Sequence, residues 1–268
     1  MCATIAGGRL HRGASVIGSV IQFWSIGKTQ EVQKSHMANE FQKKRGILFD
    51  LDGTLIDSMP LHYRCWSETL ERFGVKIDIE HFYASEGTKI TDLMKKYTGI
   101  QEPSTIADLV REKDTLFIER FSFGLYEGVR EFLSECTSLG IKLGLVTASS
   151  AARFDKSAPK SFTDHFSVII TGDSSLRGKP YPDQYIAGIR GLDLDPEHVL
   201  AVENAPLGIL AAKGAGLHCV ALAHTLGRSF LQDADRTYET FQDFAGVFCD
   251  ELQRGRLMQN LEVLRRPL

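Results

Sequence analysis

Cysteine is scarce in this chain, and what there is stays scattered. Cys2, Cys65, Cys136, Cys219 and Cys249 are odd in number and form no C-x-x-C pair. This argues for a reducing compartment and against a disulfide framework or a zinc site. Net charge is also nearly absent, −3 from 31 basic and 34 acidic residues. No basic face is therefore on offer to a nucleic acid. No apolar run is long enough to cross a bilayer, so no membrane partner is expected. Internal repeats and low-complexity tracts are missing too. Acid is missing from one place only: Met1 to Gln30 contains no Asp or Glu, while Arg9, Arg12 and Lys28 are basic. Three readings of this N-terminal extension, residues 1–43, stay open: an organellar transit peptide, an unstructured extension, or residues ahead of a true start at Met37. Val16 to Trp24 is interrupted by Gly18, Ser19 and Gln22, which disfavours a secretory signal. A cytoplasmic location is expected, or an organellar one if the extension is a transit peptide.

What is present is an ordinary globular composition, 43% apolar and 24% charged over 268 residues. The stretch Gly46 to Ser58, GILFDLDGTLIDS, organises the rest. A short apolar run ending in acids reads as a buried strand that stops at a functional edge. In open α/β sheets ligands gather beyond the carboxyl ends of the strands. Asp50 and Asp52 would sit there, one residue apart. Such a pair is either a turn with solvated acids or a site for a divalent cation, magnesium suiting oxygen ligands.

Helical periodicity follows. Leu61, Cys65, Trp66, Leu70 and Phe73 recur at helical spacing, and Gly74 is a plausible stop. A second stretch runs through Phe82, Ile90, Leu93, Met94 and Tyr97, and a third from Ile106 to Phe121. Residues 60–123 thus read as an all-helical insert after the first strand, placed to fold over the site as a lid. His62 to Trp66 reads as core plus surface. Ser85 to Lys89, SEGTK, reads either as a tight turn dipping into the site or as a solvated loop.

Beyond the insert, strands and helices alternate. Ile141 to Val146 ends in Thr147-Ala148-Ser149-Ser150, a phosphate cradle or a helix N-cap. Val168 to Thr171 is another strand, and Gly178-Lys179-Pro180-Tyr181-Pro182-Asp183 follows, its prolines stiffening the segment that carries Lys179. Val199 to Val202 ends at Glu203-Asn204, and Ala205 to Gly208 turns into an Ala-rich helix. His218 to Leu222 makes a fifth strand, and one or two helices close the chain from Phe241 to Leu268. This alternation predicts an α/β fold with a doubly wound parallel sheet. The core takes residues 44–59 and 124–268, with the helical cap at 60–123.

Taken together, DLDGT, VTASS, GKPYPD and VENAPLGI resemble the haloacid dehalogenase-like phosphohydrolases, in the group that includes β-phosphoglucomutase and phosphoglycolate phosphatase. The resemblance runs from about Gly46 to Asp243 and implies a Rossmann-like core. It implies Asp50 as nucleophile and Asp52 as general acid and then base. Thr147 and the backbone at Ala148 would hold phosphoryl oxygens, and Lys179 would offset charge. Asp50, Asp52, Glu203 and Asn204 would hold Mg2+. Two like charges about 4 Å apart cost on the order of 4 kcal/mol at an effective dielectric near 20, which the metal and Lys179 reverse. For Asp52 to protonate a leaving oxygen its pKa must be raised, and nearby Asp50 and exclusion of water are expected to raise it.

The fourth motif commonly reads Glu-Asp in this family, whereas here it is Glu203-Asn204, one negative charge fewer. ENAPLG with an EG turn in the cap looks like a branch assigned as inorganic pyrophosphatase. Glu86 matches the cap position thought to reach the metal there, and restores the missing charge when the lid closes. The expected activity is magnesium-dependent hydrolysis of a small phosphorylated metabolite, with pyrophosphate as an alternative. A sugar phosphate mutase is another, and would need a basic cap group such as Lys89. His62 is a further cap candidate. A regulatory or binding module on the same fold is opposed by the complete set Asp50, Asp52, Thr147 and Lys179.

Overall fold

The computed structural model describes residues 40–173 and 177–264, with side chains described as far as Gly255. The N-terminal readings, Cys2, and the side chains of Leu257, Leu261 and Leu264 lie outside the described residues. Strand β1 (Gly46–Phe49) is buried along its whole length. It lies at the centre of a six-stranded, fully parallel sheet. The other strands are β2 (Lys142–Val146), β3 (Val168–Ile170), β4 (Val199–Glu203), β5 (His218–Leu222) and β6 (Arg236–Tyr238). Their spatial order is β3-β2-β1-β4-β5-β6. The chain steps outward from β1 to β3, then returns to the other side of β1 as β4. That reversal opens a crevice at the carboxyl ends of β1 and β4, where Asp50 and Glu203 stand.

Both faces of the sheet are covered, so β1 can be apolar throughout rather than alternating. Its side chains still divide by the two-residue period. Ile47 and Phe49 enter a phenylalanine-rich layer with Phe41, Phe132, Phe241, Phe244 and Phe248. That layer is built by α5 (Val129–Ser138) and α10 (Phe241–Leu264). Leu48 enters the opposite layer with Tyr185, Ile189, Ile209, Ala211 and Ala212, from α8 (Asp183–Leu192) and α9 (Pro206–Gly214). The helices α6 (Ala151–Ser157) and α7 (Lys160–Thr163) link β2 to β3.

Between β1 and α5 come four helices: α1 (Met59–Glu71), α2 (Ile79–Ala84), α3 (Ile90–Thr98) and α4 (Pro103–Arg120). Their starts are set by local chemistry. The Asp78 carboxylate accepts from the His81 N–H, and Glu102 accepts from the N–H groups of Ser104 and Thr105 ahead of Pro103 at the first turn. They bury a core of their own, including Trp66, Leu70, Phe82, Met94 and Ile106. Each such side chain stabilises the layer by roughly 1.5–3 kcal/mol.

Ser85–Lys89, read as a tight turn or a loop, separates α2 from α3, with Gly87 at φ +88°. The closing segment, read as one or two helices, is one over Phe241–Leu264. Strand β6 was not expected: its three half-buried residues carry no apolar run to announce it. Among the described residues no helix is long and apolar enough to cross a membrane.

Candidate active site

The carboxyl ends of β1 and β4 bring four acids and one ammonium together. Asp50 leaves β1 with its N–H still donating to Val202 O (3.0 Å), so the backbone of the sheet sets its position. Its Oδ1 accepts from Lys179 Nζ at 2.7 Å, and its Oδ2 from Thr54 Oγ1 at 3.3 Å. Lys179 also donates to Glu203 Oε1 at 2.6 Å, and Tyr185 OH donates to that same oxygen at 2.6 Å. Asp50, Lys179, Tyr185 and Glu203 are all buried. Burial opposes the Lys179 charge, yet Asp50 and Glu203 together raise its pKa, so it stays an ammonium. Burial raises the Asp50 carboxyl, with Lys179 opposing and Glu203 and Asp52 adding to the rise.

The 147–150 loop closes a second wall. Thr147 continues the sheet by donating its N–H to Ile170 O, and buried Gln184 donates to Thr147 O at 3.0 Å. Ser149 N–H donates to Thr147 Oγ1, and Thr147 Oγ1 is 3.0 Å from Ser149 Oγ. Thr147, Ala148, Ser149 and Ser150 all line a cleft between the sheet and α1–α4.

Asp52 faces that cleft in a different environment from Asp50. Ser58 Oγ donates to its Oδ1 at 2.6 Å and Ser149 Oγ to its Oδ2 at 3.0 Å. Arg153 Nη2 donates to Oδ2 at 2.8 Å, and His62 Nε2 lies 3.2 Å from Oδ1. Lys113 Nζ, 3.0 Å from His62 Nδ1, donates to it, which leaves the imidazole proton on Nε2 for Asp52. Burial, then the Lys113 charge, push His62 down to about 3, so it is neutral. Burial, then Arg153, push Lys113 down to about 8. The expected rise in the Asp52 pKa is not found. Burial would raise it, but Arg153, then His62 and Ser58, hold it well below the usual carboxylate range.

The cap candidates separate. Glu86 reaches the fourth motif: Asn204 Nδ2 donates to Glu86 Oε2 at 2.7 Å and to Thr225 Oγ1 at 3.2 Å, while Thr54 Oγ1 donates to Asn204 Oδ1 at 3.0 Å. Desolvation and the charges of Asp50, Asp52 and Glu203 raise the Glu86 carboxyl well above its ordinary value. Gly87 lets the turn lie on the Lys179 side chain, where a Cβ would collide with the lysine stem. Lys89 goes elsewhere. Its stem packs over Gly178, and it is not among the residues that line the cleft. His62, a cap candidate on a stretch that read as core plus surface, is buried against Phe117 (ring centroids 4.1 Å, nearly parallel) and also touches Asp52.

Sequence reasoning missed Arg153, Lys113 and Tyr185. Arg153 had one signal: it lies in the first turn of the helix that follows the 147–150 loop. Lys113 had none, being one charge among several in Arg111-Glu112-Lys113-Asp114. The cations on the far side of the cleft are therefore Lys113 and Arg153 rather than Lys89.

The haloacid dehalogenase-like hydrolase family model matches residues 47–222, which contain the acid pair, the 147–150 loop, Lys179 and Glu203-Asn204. Protein CbbY of Cereibacter sphaeroides is 32% identical over 217 residues, covering 75% of this chain and 94% of that protein. Hexitol phosphatase A of Escherichia coli (strain K12) is 32% identical, covering 66% of this chain and 82% of that protein. The crystal structure of CbbY from Rhodobacter sphaeroides in complex with phosphate is similar with a TM-score of 0.63 at 30% identity, covering 74% of this chain and 95% of that one. Motif order, parallel sheet and relatives agree, and the chain belongs to the haloacid dehalogenase-like hydrolase family.

Proposed function

We propose that this enzyme is a magnesium-dependent phosphohydrolase that cleaves a small phosphorylated metabolite through an aspartyl-phosphate on Asp50. The observation that carries the proposal is the Asp50–Lys179–Glu203 contact: a buried carboxylate fixed by an ammonium at the end of a central strand. Among the described residues no three His, Cys, Asp or Glu side chains form a ready-made cation cage. The charge balance nonetheless suits a divalent cation. Asp50, Asp52, Glu86 and Glu203 converge, and burial with mutual repulsion raises Asp50 and Glu86. Asp50, Asp52, Glu203 and the Asn204 amide would hold magnesium, which when bound supplies charge to offset the phosphoryl oxygens.

The chain's own groups account for the rest. Lys179 favours the anionic form of Asp50 against the rise that burial causes, and it would offset the negative charge that a phosphoryl group brings. The Thr147 hydroxyl, which donates to Ser149 Oγ, would turn to donate to a phosphoryl oxygen. An Asp50 carboxylate oxygen forms a bond to phosphorus while the bond from phosphorus to the leaving oxygen breaks. The electron pair stays on that oxygen, which takes a proton from Asp52. Water then loses a proton to Asp52 and attacks the same phosphorus, releasing inorganic phosphate and restoring Asp50. Closure of α1–α4 keeps bulk water from the intermediate.

The test is phosphate release from a panel of sugar, polyol and acid phosphates, with pyrophosphate included, at saturating magnesium and with Asp50→Asn as the blank. Release that depends on Asp50 and magnesium supports the proposal, and none from any member refutes it. Release from pyrophosphate alone would favour the second reading, for which the Glu86–Asn204 contact is the specific support.

A further inference from the structure

We infer that His224 is a positioning residue for the nucleophile: through the Gly53 carbonyl it fixes the turn that follows Asp50, and so keeps the Thr54 hydroxyl against the Asp50 carboxylate. The inference rests on the phosphohydrolase reading above. It adds a residue that stands beyond the four motifs and does not line the cleft.

The turn after Asp50 is tied on its N–H side by its own backbone. Gly53 N–H donates to Ile56 O at 2.9 Å, and Thr54 N–H donates to Leu51 O at 3.2 Å. On the carbonyl side the tie comes from far along the chain. Among the described residues only His224 donates to Gly53 O, from Nδ1 at 3.3 Å. Gly53 stands at φ +84°, a conformation that glycine enters and leaves easily, so this is the point of the turn most in need of an outside hold. The Gly53 carbonyl and the Thr54 N–H belong to one planar peptide, and fixing the first fixes the second. Thr54 is buried, with its Oγ1 3.3 Å from Asp50 Oδ2 and 3.0 Å from Asn204 Oδ1. A swing of that peptide would carry the hydroxyl off the nucleophile.

The other partner of the imidazole assigns its proton. Nε2 accepts from the Phe241 N–H at 3.0 Å. A backbone amide can only donate, so Nε2 is bare and the proton sits on Nδ1, directed at Gly53 O. Phe241 opens α10, where the first N–H groups lack partners within the helix, and the imidazole supplies one of them. Burial holds the His224 pKa below its ordinary value, against the Gly53 carbonyl and the Asp57 charge, and the neutral ring is the form that makes both bonds. The ring is itself well seated. It packs on Tyr126 with centroids 3.9 Å apart, and Ala223 N–H donates to Tyr238 O at 2.9 Å, so β6 sets where His224 begins. Thr225 follows and accepts from Asn204 Nδ2 at 3.2 Å. An added Cβ on Gly53 would also strike Thr225, so the loop after β5 braces the turn by contact as well as by the hydrogen bond.

The experiment removes the two bonds one at a time. In His224→Asn the short amide stands where Nδ1 stood: it donates to Gly53 O and leaves the Phe241 N–H bare. In His224→Gln the longer amide stands where Nε2 stood: its oxygen accepts from Phe241 and Gly53 O loses its donor. Both lose the ring on Tyr126, so the contrast between them isolates the two nitrogens. Melting temperatures are recorded, and kcat and KM are measured at saturating magnesium for the member of the phosphate panel above that the wild type hydrolyses fastest. His224→Gln is expected to lose kcat at least about tenfold with KM within about threefold of the wild type's. His224→Asn is expected to keep kcat within about threefold, yet to melt roughly 2–4 °C below His224→Gln. His224→Phe, which keeps the ring and loses both bonds, is expected to show the loss of kcat, and it replaces His224→Gln in the comparison if that variant does not fold. Equal loss of kcat in the asparagine and glutamine variants, or loss in step with melting temperature, marks a purely structural histidine and overturns the inference. Wild-type kcat in His224→Gln or His224→Phe overturns it as well. These outcomes leave the phosphohydrolase reading standing. Absence of phosphate release from every panel member by the wild type overturns both.

Discussion

Gly208→Ala tests the seat of Glu203 with a single methyl group. Gly208 lies in the first turn of α9, and a Cβ there would fall well under 3.0 Å from the Oε1, Cδ and Oε2 atoms of Glu203. Its φ is not positive, so alanine suits the backbone and should stabilise the helix by roughly 1 kcal/mol on propensity alone. The carboxylate must therefore move, and it is held on one side by Lys179 and Tyr185, both at 2.6 Å. Losing a charge-assisted hydrogen bond costs about 1.5–3 kcal/mol and a neutral one about 1 kcal/mol. The net expectation is a destabilisation of about 2–3 kcal/mol, or a melting temperature lower by roughly 5–10 °C. Lys179 would keep Asp50 as its one anchor, and kcat/KM for phosphate release should fall about a hundredfold. Gly246→Ala is the control. Gly246 is exposed on α10 with nothing within 4 Å of an added Cβ, so the same change there should be neutral or stabilising by up to about 1 kcal/mol. Differential scanning calorimetry and steady-state hydrolysis of a common substrate read both quantities. A Gly208→Ala enzyme with wild-type melting and turnover would refute the packing argument for Glu203.

Further predictions follow from the same electrostatics. Asp50→Asn should remove phosphate release by at least about a thousandfold while leaving the fold intact by circular dichroism; residual turnover above a few per cent would exclude Asp50 as nucleophile. His62 is held at about 3 against an ordinary 6.5. The unfolded chain therefore takes up a proton that the folded one refuses, and this contribution, complete above 6.5, is lost as pH falls toward 3. By about pH 5 it amounts to about 2 kcal/mol. His62→Gln should accordingly show a melting temperature that falls less between pH 7 and about pH 5 than the wild type's, by roughly 4–8 °C; parallel pH profiles would contradict the buried neutral imidazole. Glu86→Gln removes a carboxylate raised by burial and then by its acidic neighbours, while keeping a partner for Asn204. It should raise the magnesium concentration needed for half-maximal turnover severalfold, and an unchanged magnesium dependence would detach the cap turn from the metal.

The Glu86–Asn204 contact between the cap turn and the fourth motif suits an amide at position 204. An aspartate at this position would face Glu86 across 2.7 Å as a second anion, whereas the Asn204 amide donates to it. The cap loop thus sets a carboxyl against the amide, and burial, then the charges of Asp50, Asp52 and Glu203, raise that carboxyl well above its ordinary value.

Much of the architecture is written locally. Gly46–Phe49 is continuously apolar because a central parallel strand has no solvent face, and the acids that follow mark its end. The short strands ending in Thr147 and Glu203, and the prolines around Lys179, could be read in order because each is a local signal of period, turn chemistry or charge. The doubly wound parallel class followed from their alternation. The sequence did not disclose β6, whose Arg236–Tyr238 is half-buried and unpatterned. Nor did it disclose the surroundings of Asp52. Asp50 and Asp52 are a residue apart and look alike in the sequence, and both were expected to be raised or crowded by each other. Their fates diverge because Lys179 and Glu203 close around one of them, while His62 and Arg153 close around the other with Lys113 behind the imidazole. The Arg153–Asp52 pair spans 101 positions of the chain and the Lys113–His62 pair 51. A side chain's charge state is set by burial and by charges within a few ångströms through space, and spacing along the chain carries no record of either until the sheet and the cap have packed.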